Sequence, residues 1–170
     1  MVLPAKWFLL ILVPSFYDSI VFTLNYYYCE DDSWYLIRST ASNLVLDASN
    51  SRVTVQHFDG YTPQLWRFKR GSRPGLFFIL NNSTETVLDV ANDYTVVLAK
   101  QTNESLSQQW FVNSNGRIVN AGSGRNLDIT GARYIPGNPL IVYPDNGNPA
   151  QDFIVKEKRT CGDQKFNTIP

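Results

Sequence analysis

The sequence has few of the residue types on which most enzymes depend. Its 170 residues include one histidine, His57, two cysteines and one methionine. The 15 basic residues balance the 15 acidic residues, so the chain has no net charge with which to hold a polyanion, and nucleic acid is not an expected partner. No Walker-type, paired-carboxylate or metal-binding signature is present. The sequence therefore predicts a single-domain protein that has no catalytic activity and needs no metal or cofactor.

The chain also lacks an apolar run long enough to span a bilayer. The apolar run at residues 7–13 follows Lys6 and is soon broken by Pro14 and Asp18, well short of the roughly 20 apolar residues that a membrane span needs. A basic start followed by a short apolar run instead predicts a secretory signal at residues 1–23, with cleavage between positions 15 and 23. We therefore expect a secreted, extracellular protein without stable membrane insertion.

The two cysteines, Cys29 and Cys161, are far apart in the sequence and have no metal-site spacing. In an oxidising compartment such a pair predicts a disulfide, which in turn requires the two ends of the domain to meet in space. The residues after this pair, 162–170, are expected to form a disordered tail.

Three glycosylation sequons agree with a secreted glycoprotein. They place the acceptor amides at Asn81, Asn82 and Asn103. Such tripeptides are common by chance, so they support the prediction of secretion without carrying it.

The chain repeats one pattern three times. In each copy an isoleucine leads by ten residues to the aspartate of a Leu-Asp pair, and each copy closes with glutamine, any residue and an aromatic residue. The Leu-Asp pairs are Leu46-Asp47, Leu88-Asp89 and Leu127-Asp128, and the closing motifs are Gln64-Leu65-Trp66, Gln108-Gln109-Trp110 and Gln151-Asp152-Phe153.

Between these anchors the sequence alternates with period two, as at residues 53–55 and 140–143, and turn-forming residues bound each segment. This pattern predicts short β-strands and no helices within the array. Copies of about 40 residues with roughly four strands each can bury their apolar faces only against one another. The expected fold is therefore all-β, with the copies closed into a pseudo-threefold array.

The three Leu-Asp pairs and three Gln-x-aromatic motifs in register resemble the ricin B-type lectin family of β-trefoils. The resemblance implies a β-trefoil lectin domain within residues 29–161. It also implies that the aspartate of a working copy accepts hydrogen bonds from sugar hydroxyls and that an outward aromatic residue stacks on the sugar ring. The aromatic residue of each closing motif is expected to lie in the core, and the glutamine to be a buried amide that holds the adjacent loop.

The third copy matches this pattern best. Its predicted carbohydrate-binding residues are Asp128, Tyr143 at the stacking position, Asn146 in the following turn, and Gln151. The family often has glutamine and asparagine where this chain has Ile141 and Ala150, respectively.

The other two copies match less well. In the first copy Gln56 occupies the stacking position, and Asp47, His57 and Phe58 form a weaker candidate site in which a shifted loop supplies the aromatic face. In the second copy we assign the stacking position to Lys100, and we expect that copy to be silent.

The expected function is therefore binding of exposed sugars, of galactose type by analogy with the family, mainly through the third copy. The expected partners are glycans or glycoproteins, with self-association as a means of gaining avidity. The alternative is a protein-binding β-trefoil, resembling a protease inhibitor or a toxin, whose sugar sites are degenerate.

Overall fold

The computed structural model describes residues 33–50 and 52–158. The predicted signal at 1–23, both cysteines and the tail at 162–170 lie outside the described residues. In the described part the chain forms twelve β-strands and short single-turn 3₁₀ helices, with no α-helix, which confirms the all-β prediction. No helix in these two ranges is long and apolar enough to span a membrane.

Each copy contributes four strands. The first copy contains β1 (Trp34–Ser39), β2 (Val45–Asp47), β3 (Thr54–Gln56) and β4 (Trp66–Arg70); the second contains β5 (Leu76–Asn81), β6 (Val87–Val90), β7 (Val96–Ala99) and β8 (Gln109–Val112); the third contains β9 (Ile118–Asn120), β10 (Asn126–Ile129), β11 (Leu140–Tyr143) and β12 (Phe153–Lys158).

The second and third strands of each copy form a hairpin, while the first and fourth strands pair with each other or with those of the neighbouring copies. The last strand returns to the first, since β12 pairs with β1 from Trp34 opposite Lys158 to Ser39 opposite Phe153. The three hairpins also meet one another, through the bridges Arg52–Val97, Thr54–Pro139 and Thr95–Ile141. This closed threefold arrangement is the predicted β-trefoil, and it brings together the ends of the described range.

The core consists of the residues that recur in the repeat. The three isoleucines, the three leucines of the Leu-Asp pairs and the three closing aromatic residues are each at most 3% exposed and belong to one cluster. The indole Nε1 of Trp66 donates to the Leu46 carbonyl at 3.2 Å, and that of Trp110 donates to the Leu88 carbonyl at 3.0 Å. The prediction that Trp66, Trp110 and Phe153 are core residues is confirmed.

One glycosylation prediction is contradicted by burial. Asn81 is fully buried, and its Nδ2 donates to the Pro63 carbonyl at 2.9 Å. Asn120 occupies the same position in the third copy and donates in the same way to the Ser107 carbonyl at 2.7 Å. Asn81 is thus a structural residue of the repeat, and a glycan on its amide nitrogen would disrupt these contacts. The other two predicted acceptors, Asn82 and Asn103, are partly exposed and exposed, respectively.

Candidate functional site

The predicted site of the third copy lies on one face of the hairpin formed by β10 and β11. Asp128 is opposite Ile141, and Asn126 is opposite Tyr143. Because side chains alternate along a strand, Asp128 and Tyr143 lie on the same face as diagonal neighbours, about 7–8 Å apart in Cα positions. Leu127 and Val142 point to the other face and are buried in the core. Tyr143 is 47% exposed, as its predicted outward position requires.

The glutamine of each closing motif binds the aspartate of its own copy. The side-chain Nε2 of Gln151 donates to Asp128 Oδ2 at 2.8 Å and to the Pro144 carbonyl at 3.0 Å. Its Oε1 accepts from Asn126 Nδ2 at 3.0 Å. The same pairing recurs from Gln64 to Asp47 and from Gln108 to Asp89, each at 3.0 Å. Gln151 is fully buried, and in this geometry it holds Asp128 and the loop at Pro144.

The second carboxylate oxygen distinguishes the third copy from the other two. Asp47 Oδ1 accepts from the Ser49 amide, and Asp89 Oδ1 accepts from the Val90 amide, both at 2.7 Å. Within residues 33–50 and 52–158, Oδ1 of Asp128 accepts no hydrogen bond from the protein. The third copy therefore has a carboxylate oxygen available to a ligand.

Burial raises the pKa of Asp128 above its ordinary value. Two effects oppose this shift, namely the hydrogen bond from Gln151 and the positive charge of Arg117. Asp128 is 6% exposed, so ligand hydroxyls that replace its remaining water would form charge-assisted hydrogen bonds in a poorly solvated place.

Asn146 lies in the loop that follows β11. Its Oδ1 accepts from the Asn148 amide at 2.9 Å, as in an Asx turn, and its backbone amide approaches Gln151 Oε1 at 3.5 Å. The side chain is exposed, and its Nδ2 has no hydrogen-bond partner in the described part of the chain. Asn146 can therefore donate a hydrogen bond to a ligand held at Asp128.

In the first copy no oxygen of the aspartate is left for a ligand. Asp47 is 3% exposed, and both of its oxygens accept hydrogen bonds from the protein. The position equivalent to Tyr143 is held by Gln56, opposite Val45, as the sequence predicts. His57 and Phe58 follow β3 and are exposed, Phe58 to 50%, so an aromatic face is present beside a carboxylate that has no open oxygen.

In the second copy the register corrects the predicted stacking position. Asp89 is opposite Val97, and Val87 is opposite Ala99. Ala99, and not Lys100, therefore occupies the position of Tyr143. The prediction was one residue out because it was counted back from the glutamine across a loop of different length. Alanine has no flat surface on which a sugar ring could stack.

Two residues near Asp128 were not found from the sequence. Tyr134, in the loop after β10, has its pKa raised first by burial and then by the negative charges of Asp128 and Asp152. Arg117, just before β9, is within 3.0 Å of Asp152 and lowers the pKa of Asp128. The sequence offered one signal for Arg117. It is a cation at the position just before the repeat isoleucine, where the other copies have Leu36 and Phe78.

A surface cleft of about 530 Å³ lies between the turn Asn113–Gly116 and the segment Asp152–Val155. Neither Asp128 nor Tyr143 lines this cleft.

The fold and the Gln-Asp pairing define a β-trefoil of the lectin type. The family model of the ricin-type β-trefoil lectin domain matches residues 33–153, more than half of the chain. The chain therefore belongs to the ricin-type β-trefoil lectin family.

Individual relatives agree with this assignment. Nigrin b of Sambucus nigra is 31% identical over 78 residues, a match that covers 44% of this chain and spans only 14% of nigrin b. The designed threefold-symmetric protein ThreeFoil superposes with a TM-score of 0.66 at 24% identity, covering 72% of this chain and 96% of that one. The C-terminal half of an earthworm R-type lectin, solved with GalNAc, gives a TM-score of 0.63 at 18% identity, covering 74% and 99%. At these identities the two structures establish the fold.

Proposed function

We propose that this protein is a secreted, non-enzymatic lectin that binds exposed galactose-type sugars, mainly through its third copy. The observation that carries the proposal is the open Oδ1 of Asp128 beside the exposed ring of Tyr143. Membership of the lectin family supports carbohydrate binding. The GalNAc bound to the earthworm lectin supports the galactose type by analogy.

In this proposal each side chain has a separate task. Two adjacent sugar hydroxyls donate to the carboxylate of Asp128, which in its ionised form accepts charge-assisted hydrogen bonds. Tyr143 packs against the apolar C–H face of the sugar ring. Asn146 donates from Nδ2 to a further hydroxyl. Gln151 holds Asp128 in place from beneath.

The second copy is proposed to be silent, since Ala99 provides no stacking surface and both oxygens of Asp89 accept hydrogen bonds within the chain. A protein with one working site binds weakly, so we propose self-association as the source of avidity. Analytical ultracentrifugation of the mature protein tests this point.

Binding of sugars is tested with a glycan array probed with the mature protein and followed by calorimetric titration of GalNAc and lactose. Selective binding of galactose-type glycans is the expected result. Absence of binding to every glycan would overturn the proposal.

Tyr143→Ala is expected to weaken sugar binding by roughly tenfold, because the loss of an aromatic packing surface costs on the order of 1 kcal/mol or more. Gln56→Ala, at the equivalent position of the first copy, is the matched control and should leave affinity unchanged. Calorimetric titration of both variants measures the effect. If Gln56→Ala weakened binding as much as Tyr143→Ala, the site would not be confined to the third copy.

Secretion implies that Cys29 and Cys161 form a disulfide in the mature protein. Trp34 pairs with Lys158, and these residues are five positions after Cys29 and three before Cys161 in the sequence, which supports this proposal. Mass analysis of non-reduced peptides should find the two cysteines linked. Two free thiols in protein purified from an oxidising compartment would contradict it.

A second candidate function is binding of a protein partner through the loops. Tyr61, Phe58 and Ile135 are 71%, 50% and 57% exposed, and such exposed apolar side chains are typical of interaction surfaces. The closed carboxylates of the first two copies would fit a chain that has lost sugar sites. This function would be favoured if the array showed no binding and replacement of Tyr61 and Ile135 abolished capture of a protein partner.

A further inference from the structure

Arg117 joins β9 to both ends of the loop that carries Asn146. One guanidinium nitrogen, Nη1, donates to the Asn148 carbonyl at 3.2 Å and lies 3.0 Å from Asp152 Oδ1. The other, Nη2, lies 3.7 Å from Asp145 Oδ1. The side chains of Arg117 and Asp152 are 13% and 33% exposed, so their contact is better shielded than an ordinary surface ion pair. The longer contact with Asp145, whose side chain is 70% exposed, is open to solvent.

Gly116 allows this approach. Its carbonyl accepts from the Phe153 amide at 3.0 Å, and a Cβ at Gly116 would lie 3.1 Å from the Phe153 carbonyl oxygen. Gly116 has φ +89, a value that is strained for residues that carry a Cβ. The backbone before β9 therefore comes close to the start of β12, and Arg117 reaches the loop.

The loop itself is held by short-range hydrogen bonds that Arg117 supports at two points. Asp145 Oδ1 accepts from the Gly147 amide at 3.2 Å, and Asn148 Oδ1 accepts from the Ala150 amide at 2.9 Å. Arg117 contacts Asp145 and Asn148, the residues on either side of the Asn146-Gly147 pair. Without Arg117 these turns would be held only by solvent-exposed hydrogen bonds, which give low local stability.

The charge at this position is specific to the third copy. Counting one residue before the repeat isoleucines, the first copy has Leu36 and the second has Phe78, of which Phe78 is 3% exposed. The copy with the open carboxylate is thus the copy with the arginine. An apolar residue would serve the fold at this position, as it does in the other two copies.

From this geometry we infer that Arg117 is a positioning residue of the third-copy sugar site, which it serves by fixing the loop at residues 144–152. The inference rests on the proposed function of that site. Arg117 acts through Asp145, Asn148 and Asp152 and need not touch the sugar.

Arg117 also acts on Asp128 through its charge. Burial raises the pKa of Asp128, while the hydrogen bond from Gln151 and the charge of Arg117 favour its ionised form. Tyr134 is near enough for its own pKa to be raised, first by burial and then by Asp128 and Asp152. Sugar binding requires ionised Asp128, so binding is lost as the pH falls through the pKa of Asp128. Removing the charge of Arg117 raises this pKa further and moves the loss of binding to higher pH.

The test compares Arg117→Met, Arg117→Lys and the control Arg73→Met. Arg73 is exposed and lies in the equivalent turn between β4 and β5.

Arg117→Met should weaken GalNAc binding by about tenfold, the effect of losing charge-assisted contacts, and should raise the pH midpoint of binding. Arg117→Lys keeps the charge but not the two-pronged geometry, so it should restore the midpoint while recovering only part of the affinity. Arg73→Met should change neither quantity.

Hydrogen exchange of sugar-free protein separates this inference from the proposed function. We expect faster exchange of the Gly147 and Ala150 amides in Arg117→Met than in the wild type. If the wild type binds GalNAc but Arg117→Met keeps its affinity and pH midpoint, the inference is wrong although the lectin function stands. If the wild type binds no sugar, the proposed function fails, and unchanged exchange in Arg117→Met would then overturn the positioning of the loop as well.

Discussion

Asp128→Asn is expected to weaken the binding of galactose-type sugars by about tenfold or more while leaving the protein as stable as the wild type, or slightly more so. The loss of affinity follows because hydrogen bonds to a charged group contribute roughly 1.5–3 kcal/mol each, and the open oxygen of Asp128 is the charged acceptor in the site. An asparagine amide presents a donor or a neutral acceptor in its place.

The stability of this variant follows from the contacts of Asp128. The carboxylate needs one acceptor for Gln151 Nε2, and the Oδ1 of asparagine can supply it. The remaining Nδ2 would occupy the place of the oxygen that receives no hydrogen bond in the described part of the chain. Because the pKa of Asp128 is raised in the folded chain, the protonated residue favours folding at low pH, and this contribution is lost as the pH rises through the folded-state pKa. A neutral asparagine removes that loss at neutral pH.

Asp47→Asn is the matched comparison and should behave in the opposite way. Both oxygens of Asp47 accept hydrogen bonds, from the Ser49 amide and from Gln64 Nε2. The NH₂ group of an asparagine would therefore face one of these two donors. With 3% exposure water cannot relieve this conflict, and we expect a loss of about 1–3 kcal/mol in the free energy of unfolding. Sugar affinity should be unchanged.

Urea unfolding and calorimetric titration measure the two variants side by side. A stable Asp128→Asn variant with wild-type affinity would remove Asp128 from the site. If folded Asp47→Asn, titrated without urea, bound sugar more weakly than the wild type, the first copy would also bind sugar.

The parts of the molecule that the sequence predicted are those fixed by spacing. The spacing from the repeat isoleucine to the leucine of the Leu-Asp pair is the same in every copy, as from Ile37 to Leu46, and each closing aromatic residue, such as Trp66, follows its glutamine by two positions. Burial of recurring apolar residues requires the copies to pack on one another. The fold, the core and the burial of the closing glutamines follow from this constraint, whereas the hydrogen bond from each glutamine to the aspartate of its copy was found only in the structure. The outward position of Tyr143 follows as well, since it is one residue after the buried Val142.

The features that the sequence did not reveal depend on contacts between segments whose positions the repeat spacing does not determine. The open oxygen of Asp128 depends on which backbone amides turn towards it, and this differs among copies that share the Leu-Asp pair. Asn81 satisfies a sequon by composition, but its burial depends on the approach of Pro63. Loop length moved the second-copy stacking position from Lys100 to Ala99. The contact of Arg117 with Asp145 and Asp152 joins residues far apart in the sequence.

Gln151→Ala is expected to lower the free energy of unfolding by at least about 3 kcal/mol at neutral pH, because it leaves several buried polar groups without partners. The change removes the donor to Asp128 Oδ2 and to the Pro144 carbonyl, together with the acceptor of Asn126 Nδ2. Asp128 and Asn126 are 6% and 5% exposed, so little water can replace the lost contacts.

Gln108→Ala removes the equivalent side chain from the second copy and should cost less. Asp89 is partly exposed and keeps its hydrogen bond from the Val90 amide, so water can hydrate the oxygen that Gln108 releases. Urea unfolding of both variants at neutral pH measures the difference. Equal losses would mean that burial of the aspartate does not determine the contribution of the glutamine.

The pH dependence of this loss separates an electrostatic cause from a packing cause. Gln151 lowers the pKa of Asp128, so Gln151→Ala raises that pKa further. A raised pKa favours folding at low pH, and the benefit disappears as the pH rises through it. The difference in unfolding free energy between Gln151→Ala and the wild type should therefore shrink as the pH falls and Asp128 becomes protonated. A loss that stayed constant across the acidic range would assign the effect to the cavity and to Asn126, and not to the charge on Asp128.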